Sequence, residues 1–400
     1  MKLIAGLDIG NGYVKGSIEG KVKTDIDILS GVAYVTNTHD IKTPLSEADE
    51  VIGDIYNLMD VSFDSPLIKD TNRRIFGKRG VQSGMSLEEF DVYSHISKAK
   101  QPLSAILTLG CIAGKTLQEY WNDKGQLPTE VLKVSARVGL ALPIGEFKKY
   151  RKSYAEGYKA TSHIVEIHNF EQTIRVEISF EDVQIIAEGA SAQYAIKDKG
   201  ETLMNAMLAD IRRMGESLTG ITAADVLAAT NIVGIDIGEG TVNFPVFQNG
   251  KFNPDASVTF DKGYGAVLNS ALERLQDQGY PFNSRKELQD FLNTEPSALN
   301  KRRYMLIQAI VDEEISSFVN EVAMQFSKIM NRVGSYIEVV YVYGGGATPV
   351  KNELYPALID KARSFGNGEV LYPILYLDSR YSRYLNREGL FIMADKLAKA

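Results

Sequence analysis

The 400-residue chain has very little cysteine: Cys111 stands alone, which excludes an internal disulfide and any site built from several thiolates, and fits a reducing compartment. Its four histidines, His39, His95, His163 and His168, are too few for a His-rich metal centre, and His163 and His168 read as surface or half-buried residues. A basic excess is missing too. Lys and Arg number 44 against 51 Asp and Glu, a net charge of −7, so no broad electrostatic footprint for nucleic acid or an anionic membrane is expected. The longest apolar stretch, near Leu103 to Ala113, falls well short of the roughly 20 residues that span a bilayer, and reads as a buried helix running toward Trp121. The first apolar run, Leu3 to Ile9, contains Asp8 and is too short for a signal peptide, so a cytoplasmic protein with no membrane partner is expected. What remains, 44% hydrophobic and 24% charged residues, is an ordinary globular composition at a length suited to two domains.

What is there is a duplication. Leu7-Asp8-Ile9-Gly10-Asn11-Gly12 returns as Ile235-Asp236-Ile237-Gly238-Glu239-Gly240, each entered from a short apolar run. A strand that ends in an acid and turns through two glycines brings backbone N–H groups close to an anion, and the carboxylate beside them can hold a divalent cation. In the first copy Lys15 lies on the outgoing strand, where it can reach a phosphate as a point charge. Asp8 is placed to organise a hydrated Mg2+, which takes few protein carboxylates. In the second copy Glu239 and Thr241 follow the acid, and the expected partner of Glu239 is a sugar hydroxyl or a water. For one loop alone the plain alternative is an Asn-Gly hairpin turn; two copies weaken it. A third cluster, Gly344-Gly345-Gly346, follows a buried strand, and its missing side chains would let a flat ring lie on the backbone.

Strand patterns are expected at Lys2–Ile9, Tyr13–Ile18 and around Ile26–Val35, so the first loop sits on a hairpin tip. Rossmann and Walker loops instead feed a helix. Residues 37–100 read as a peripheral insertion of short strands and one helix. A helix is expected over Ser104–Lys124, a strand at Leu132–Leu142, a hairpin within Ser162–Ser179, a separate short strand at Gln184–Ala187, and helices in 201–229 broken at Gly215 and Gly220. The second half repeats the outline with strands at Asn231–Ile237, Val242–Gln248 and Lys251–Phe260. A long helix over 305–333 carries one apolar face, and a strand at Val339–Tyr343 delivers the glycine cluster. The basic residues Arg380, Arg383 and Arg387 read as a solvated face, and the tail tyrosines as either core or contact surface.

The order Asp-x-Gly-x-Gly-x-Val-Lys, Asp-x-Gly-x-Gly-Thr, Gly-Gly-Gly-Ala resembles the actin, sugar kinase and heat-shock chaperone superfamily. Gly139-Leu140-Ala141-Leu142-Pro143, Glu188-Gly189-Ala190 and Gly344–Ala347 are most similar to the bacterial ParM/StbA (Alp-type) plasmid-segregation proteins within it, although Ala187 stands where that family often has Pro. The resemblance implies an α/β, actin-like (ribonuclease H-like) fold of two related lobes with a nucleotide cleft between them. The lobes would be residues 1–187 with about 376–400, and 188–375. It implies that Glu188 orients the water attacking a terminal phosphate and that Asp8 and Asp236 hold Mg2+ through water. Gly10, Asn11, Gly12, Lys15, Gly238 and Gly240 would contact phosphate, with Glu239 and Thr241 in the same loop, and Gly344, Gly345 and Gly346 would meet adenosine. The implied activity is an ATPase (ATP or GTP) that forms head-to-tail filaments and reaches DNA through an adaptor protein. The alternatives are a sugar or acetate kinase of the same superfamily and a cell-shape actin homologue.

Overall fold

The computed structural model describes residues 1–35, 42–91, 96–214, 220–377 and 379–399, so His39, His95 and Gly215 lie outside the described residues. The chain divides into two compact units, Met1–Asp198 with Tyr384–Ala400, and Lys199–Arg383.

The first unit opens on β1 (Lys2–Ile9), β2 (Tyr13–Glu19), β3 (Lys23–Leu29) and β4 (Val32–Tyr34). It continues through α1 (Ala48–Gly53), α2 (Ile55–Leu58), β5 (Asp60–Asp64), β6 (Arg74–Ile75), α3 (Gly77–Gln82) and β7 (Leu87–Glu88). Then come α4 (Pro102–Lys124), β8 (Leu132–Leu142), α5 (Ile144–Lys159), β9 (His163–Ile167), β10 (Ile174–Ala187) and the start of α6 (Ala192–Arg213). The sheet order is β3-β2-β1-β8-β10-β9-β5-β6-β4-β7, with β1–β8 and β8–β10 parallel.

The second unit holds α7 (Ala223–Ala228), β11 (Ile232–Ile237), β12 (Val242–Phe244), β13 (Val246–Gln248), β14 (Lys251–Phe252) and β15 (Val258–Phe260). After these come α8 (Tyr264–Asp277), α9 (Arg285–Asn293), α10 (Lys301–Val333), β16 (Val339–Tyr343), α11 (Ala347–Phe365), β17 (Ile374–Tyr376) and α12 (Ser379–Ser382). Its central run is β15-β12-β11-β16-β17, with β11–β16 and β16–β17 parallel. Each unit therefore sets an antiparallel meander beside two parallel strands, with the Asp-Ile-Gly loop leaving the middle strand.

The sequence explains these elements locally. In β11 (IVGIDI) and β16 (VVYVY) every residue is buried, as strands covered on both faces require. Helix α4 starts with Pro102 in its first turn and stops at Gly125, whose φ of 63° is the left-handed cap. The closing helix α13 (Leu385–Lys399) returns to the first unit and lies on β1 and β8. It can do so because the directly paired Gly6 and Gly139 lack side chains. A Cβ at Gly6 would stand 2.2 Å from the Phe391 nitrogen, and one at Gly139 would stand 2.4 Å from the Leu390 carbonyl oxygen.

Several expectations are corrected. Gln184–Ala187 is no separate strand but the end of the 14-residue β10, which runs on through a bulge between Phe180 and Asp182. Pro245, which has no N–H to donate, interrupts the expected strand Val242–Gln248 into β12 and β13. The strand expected over Lys251–Phe260 is likewise split in two. The described residues of 37–100 hold three short α-helices rather than one, and their strands extend the main sheet rather than standing apart. Arg387 is no solvated residue: it is 8% exposed and pairs with Asp25 at 3.1 Å. Tyr372 and Tyr376 belong to the second unit's core. The helices α5 and α9 have no counterpart in the pattern reading.

Candidate phosphate loops and a polar cavity

The two Asp-Ile-Gly loops have the same geometry. In the first, Ile9 pairs with Val14 and Asp8 with Lys15; in the second, Ile237 pairs with Val242 and Asp236 with Asn243. The Gly10 amide donates to the Tyr13 carbonyl at 3.0 Å, and the Gly238 amide to the Thr241 carbonyl at 2.9 Å. Both are four-residue hairpin tips closed by one bond in one register. The register places the carboxylate across from Lys15 in one loop and from Asn243 in the other.

Each loop is buttressed from outside. Ser30, fully buried, donates its hydroxyl to the Gly10 carbonyl at 2.6 Å and its amide to the Gly12 carbonyl at 3.0 Å. In the second unit the first amides of α8 do this work: Tyr264 donates to Gly238 at 3.0 Å and Gly265 to Glu239 at 2.8 Å. Helix-start donors that would otherwise lack a partner therefore hold the loop in shape.

Around Asp8 the first unit gathers a small charged cluster. Lys98 Nζ lies 2.8 Å from Glu188 Oε1, with the two side chains 9% and 14% exposed. Burial pushes the Asp8 carboxyl above its ordinary range, with Lys15 and Lys98 opposing and Glu188 reinforcing the rise. For Lys98, burial works against the charged form, but Glu188 and then Asp8 outweigh it and hold the ammonium above its usual value. Glu188 follows directly on β10, and its amide donates to the Leu142 carbonyl at the end of β8 at 2.8 Å. Asp8, Lys15 and Glu188 thus share one neighbourhood at the ends of adjoining strands, and Lys98 joins them. Sequence reasoning missed Lys98 because it sits in a turn, Lys98–Lys100, with no periodic pattern. It missed Ser30 because one serine between strands carries no signal.

In the second unit Asp236 is 5% exposed. Glu239 meets Arg285 Nη1 at 2.9 Å, a half-exposed pair at the start of α9. The Thr241 hydroxyl accepts a long bond from Asn243 at 3.4 Å. The glycine cluster folds back on β11, with the Gly346 amide donating to Ile237 at 2.8 Å. Beside it opens a cavity of about 400 Å³, lined by Gly345 and Thr348 together with Tyr264, Gln308, Asp312 and Arg383. Burial raises the Asp312 carboxyl, with Glu353 adding to the rise and Gln308 opposing it. Tyr264 is pushed up to about 12 by burial and by Asp312. Gln308 and Asp312 in the cavity's wall come from α10, which the sequence showed only as an apolar stripe.

The residues suit a hydrated Mg2+, which keeps most of its waters and needs only one or two carboxylates at its edge. No group of three or more His, Cys, Asp or Glu side chains suited to a metal occurs among the described residues. Among them, no helix is long and apolar enough to cross a membrane.

Two related units built on this strand order, each with an Asp-Ile-Gly hairpin at its middle strand, define an actin-like fold. Solved structures agree. Actin-like protein Alp7A is similar over 100% of this chain and 98% of its own, at 17% identity and a TM-score of 0.66. The archaeal actin homologue Ta0583 covers 98% and 99% at 12% identity and 0.62. Bacillus thuringiensis ParM with ATP covers both chains fully at 15% identity and 0.59. Residues 6–190 match the family of actin-like proteins, N-terminal domain, and residues 234–355 match the archaeal actin homologue MreB-like, C-terminal family. The two family matches and the solved structures agree on the actin-like fold. No curated protein matches it by sequence.

Proposed function

We propose that this chain is an actin-like ATPase that binds Mg-ATP, assembles head to tail into filaments and moves plasmid DNA through an adaptor protein. The observation that carries the reading is the pair of hairpin loops in one register, each with a carboxylate at its base and each braced by bonds to its carbonyls. Phosphoryl transfer asks mainly for positioning and charge neutralisation. Backbone amides of Asn11 and Gly12 and of Glu239 and Gly240 bind phosphate oxygens, those of Gly10 and Gly238 being spent on closing the hairpins, and Lys15 supplies a point charge. The cavity of the second unit takes the nucleoside, with Gly345 open beneath it and Asp312 and Gln308 offering partners for hydroxyls. Asp8 in the first unit and Asp236 in the second are each a carboxylate that would hold a hydrated Mg2+ through its waters. When bound, the ion neutralises phosphate charge. Glu188 aligns a water and accepts its proton.

Structures of Bacillus thuringiensis ParM hold ATP and AMPPNP, and one of Ta0583 holds ADP, which supports the nucleotide assignment. A head-to-tail contact that does not close on itself generates a filament. Phosphate release from Mg-ATP, followed for wild type and Asp236→Ala, tests the reading. Wild type releases phosphate with time, whereas the variant does not. Transfer of phosphate to a small sugar instead would overturn it in favour of a kinase.

A further inference from the structure

Lys98 is a buried lysine that the reading above does not use. Its backbone is held rigidly: the Glu146 carboxylate accepts the Lys98 amide at 2.8 Å and the Ala99 amide at 2.9 Å, and the Ser104 hydroxyl donates to the Lys98 carbonyl at 3.3 Å. Glu146 sits in the first turn of α5, directly after β8, so the corner between β8 and α5 fixes where this lysine stands. From that anchor the side chain passes beneath the Phe90 ring, with Nζ 5.3 Å from its centroid, and ends on Glu188 Oε1 at 2.8 Å.

Stability alone does not account for such a pair. Taking two charges out of water costs free energy that their attraction seldom exceeds, and apolar replacements are often neutral or stabilising. The pair's location is informative, because one partner is Glu188 and the Asp8 carboxylate also acts on the Lys98 charge.

We propose that Lys98 is a positioning residue for hydrolysis: its ammonium holds the Glu188 carboxylate in one orientation, so that the carboxylate meets the attacking water. The inference rests on the ATPase reading. In the step it serves, the water oxygen bonds to the terminal phosphorus and the bridging P–O bond breaks. The electron pair leaves with the nucleoside diphosphate, and a water proton passes to Glu188. Lys98 itself gains and loses nothing.

The test compares wild type, Lys98→Met, Lys98→Arg, Glu188→Gln and the Lys98→Met/Glu188→Gln double variant. Mg-ATP affinity and single-turnover phosphate release are measured for each. Lys98→Met is expected to slow release by about tenfold or more, with affinity within about threefold of wild type. Lys98→Arg keeps the cation and restores most of the rate. In the Glu188→Gln background, Lys98→Met has no further effect. A wild-type rate in Lys98→Met, an affinity loss as large as the rate loss, or an equal loss in the Glu188→Gln background would each overturn the proposal. If Lys98→Met does not fold, Lys98→Gln is judged by the same criteria. A wild-type protein that hydrolyses nothing would sink the ATPase reading and this inference with it. A hydrolysing wild type with an unaffected Lys98→Met sinks the inference alone.

Discussion

Three consecutive glycines, Gly344, Gly345 and Gly346, should respond to alanine in three different ways. Gly344 has a φ of 100°, in the left-handed region that L side chains rarely adopt. A Cβ there would lie 2.4 Å from the Ile237 carbonyl oxygen, 2.7 Å from the Ile237 nitrogen and 2.6 Å from Asp236 Oδ1. Two of those neighbours are backbone of β11 and cannot swing away. The backbone strain costs about 1–3 kcal/mol and the overlap about 1–3 kcal/mol more, so Gly344→Ala should lose about 2–6 kcal/mol. For a unit of this size each kcal/mol shifts the melting temperature by about 2–4 °C, which sets the drop at about 4 °C or more. Because the methyl group presses on Asp236, Mg-ATP binding should fall as well. Gly345 is the built-in control: no atom lies within 4 Å of its Cβ position, and it lines the cavity beside α10. Gly345→Ala should change stability by less than about 0.5 kcal/mol while weakening nucleotide binding, since the methyl group fills the cavity. Gly346→Ala falls between, because its Cβ would press on Tyr264 and Ile237 side-chain atoms at 2.8 and 2.9 Å. Thermal unfolding and nucleotide titration of the three variants check this. Equal melting temperatures for Gly344→Ala and Gly345→Ala would refute the reasoning.

Two further predictions concern the first unit. Lys115 and Glu119 form a buried pair on α4 at 2.8 Å, and the Glu119 carboxylate also accepts the Lys21 amide at 3.0 Å. Removing one partner leaves a buried charge, so Lys115→Met should cost about 3–5 kcal/mol in denaturant unfolding, and a loss under about 1 kcal/mol contradicts this. Burial raises the Glu119 carboxyl, but Lys115 and the amides of Lys21 and Val22 outweigh it and hold it below its ordinary 4.5. That contribution is therefore complete above pH 4.5 and is lost as the pH falls toward the lower folded value. His163, fully buried, faces the Tyr158 carbonyl through Nε2 at 2.9 Å, so Nε2 carries the proton, and Nδ1 accepts from Ser65 at 2.8 Å. Burial lowers its pKa below the ordinary 6.5, so the unfolded chain takes up a proton first, and stability declines as the pH drops below 6.5. A proton-resonance titration of His163 centred at 6.5 or higher would contradict that.

Much of this was legible in the sequence where a strand must be buried or a loop must be bare. The alternating or continuous apolar runs of β1, β8, β11 and β16 gave their bounds closely, and the paired Asp-Ile-Gly loops pointed to the repeat. Apolar steps along α10 likewise gave its core face. What failed has physical causes. Pro245 breaks a strand that its neighbours' pattern carries through, and β10 passes a bulge that interrupts alternation without ending the strand. Lys98 acts through Glu188 and Ser30 through Gly10, both distant along the chain, so no local period announces them. Arg387 looked solvated because Asp25, its partner, lies at the other end of the chain.

The central claim, nucleotide-dependent assembly, is met most directly by sedimentation of the purified chain over micromolar concentrations with Mg-ATP, Mg-ADP or no nucleotide. The account predicts a pelleted polymer with Mg-ATP above a threshold concentration and far less with Mg-ADP. A protein that stays in the supernatant in all three conditions, or pellets equally in each, would contradict it.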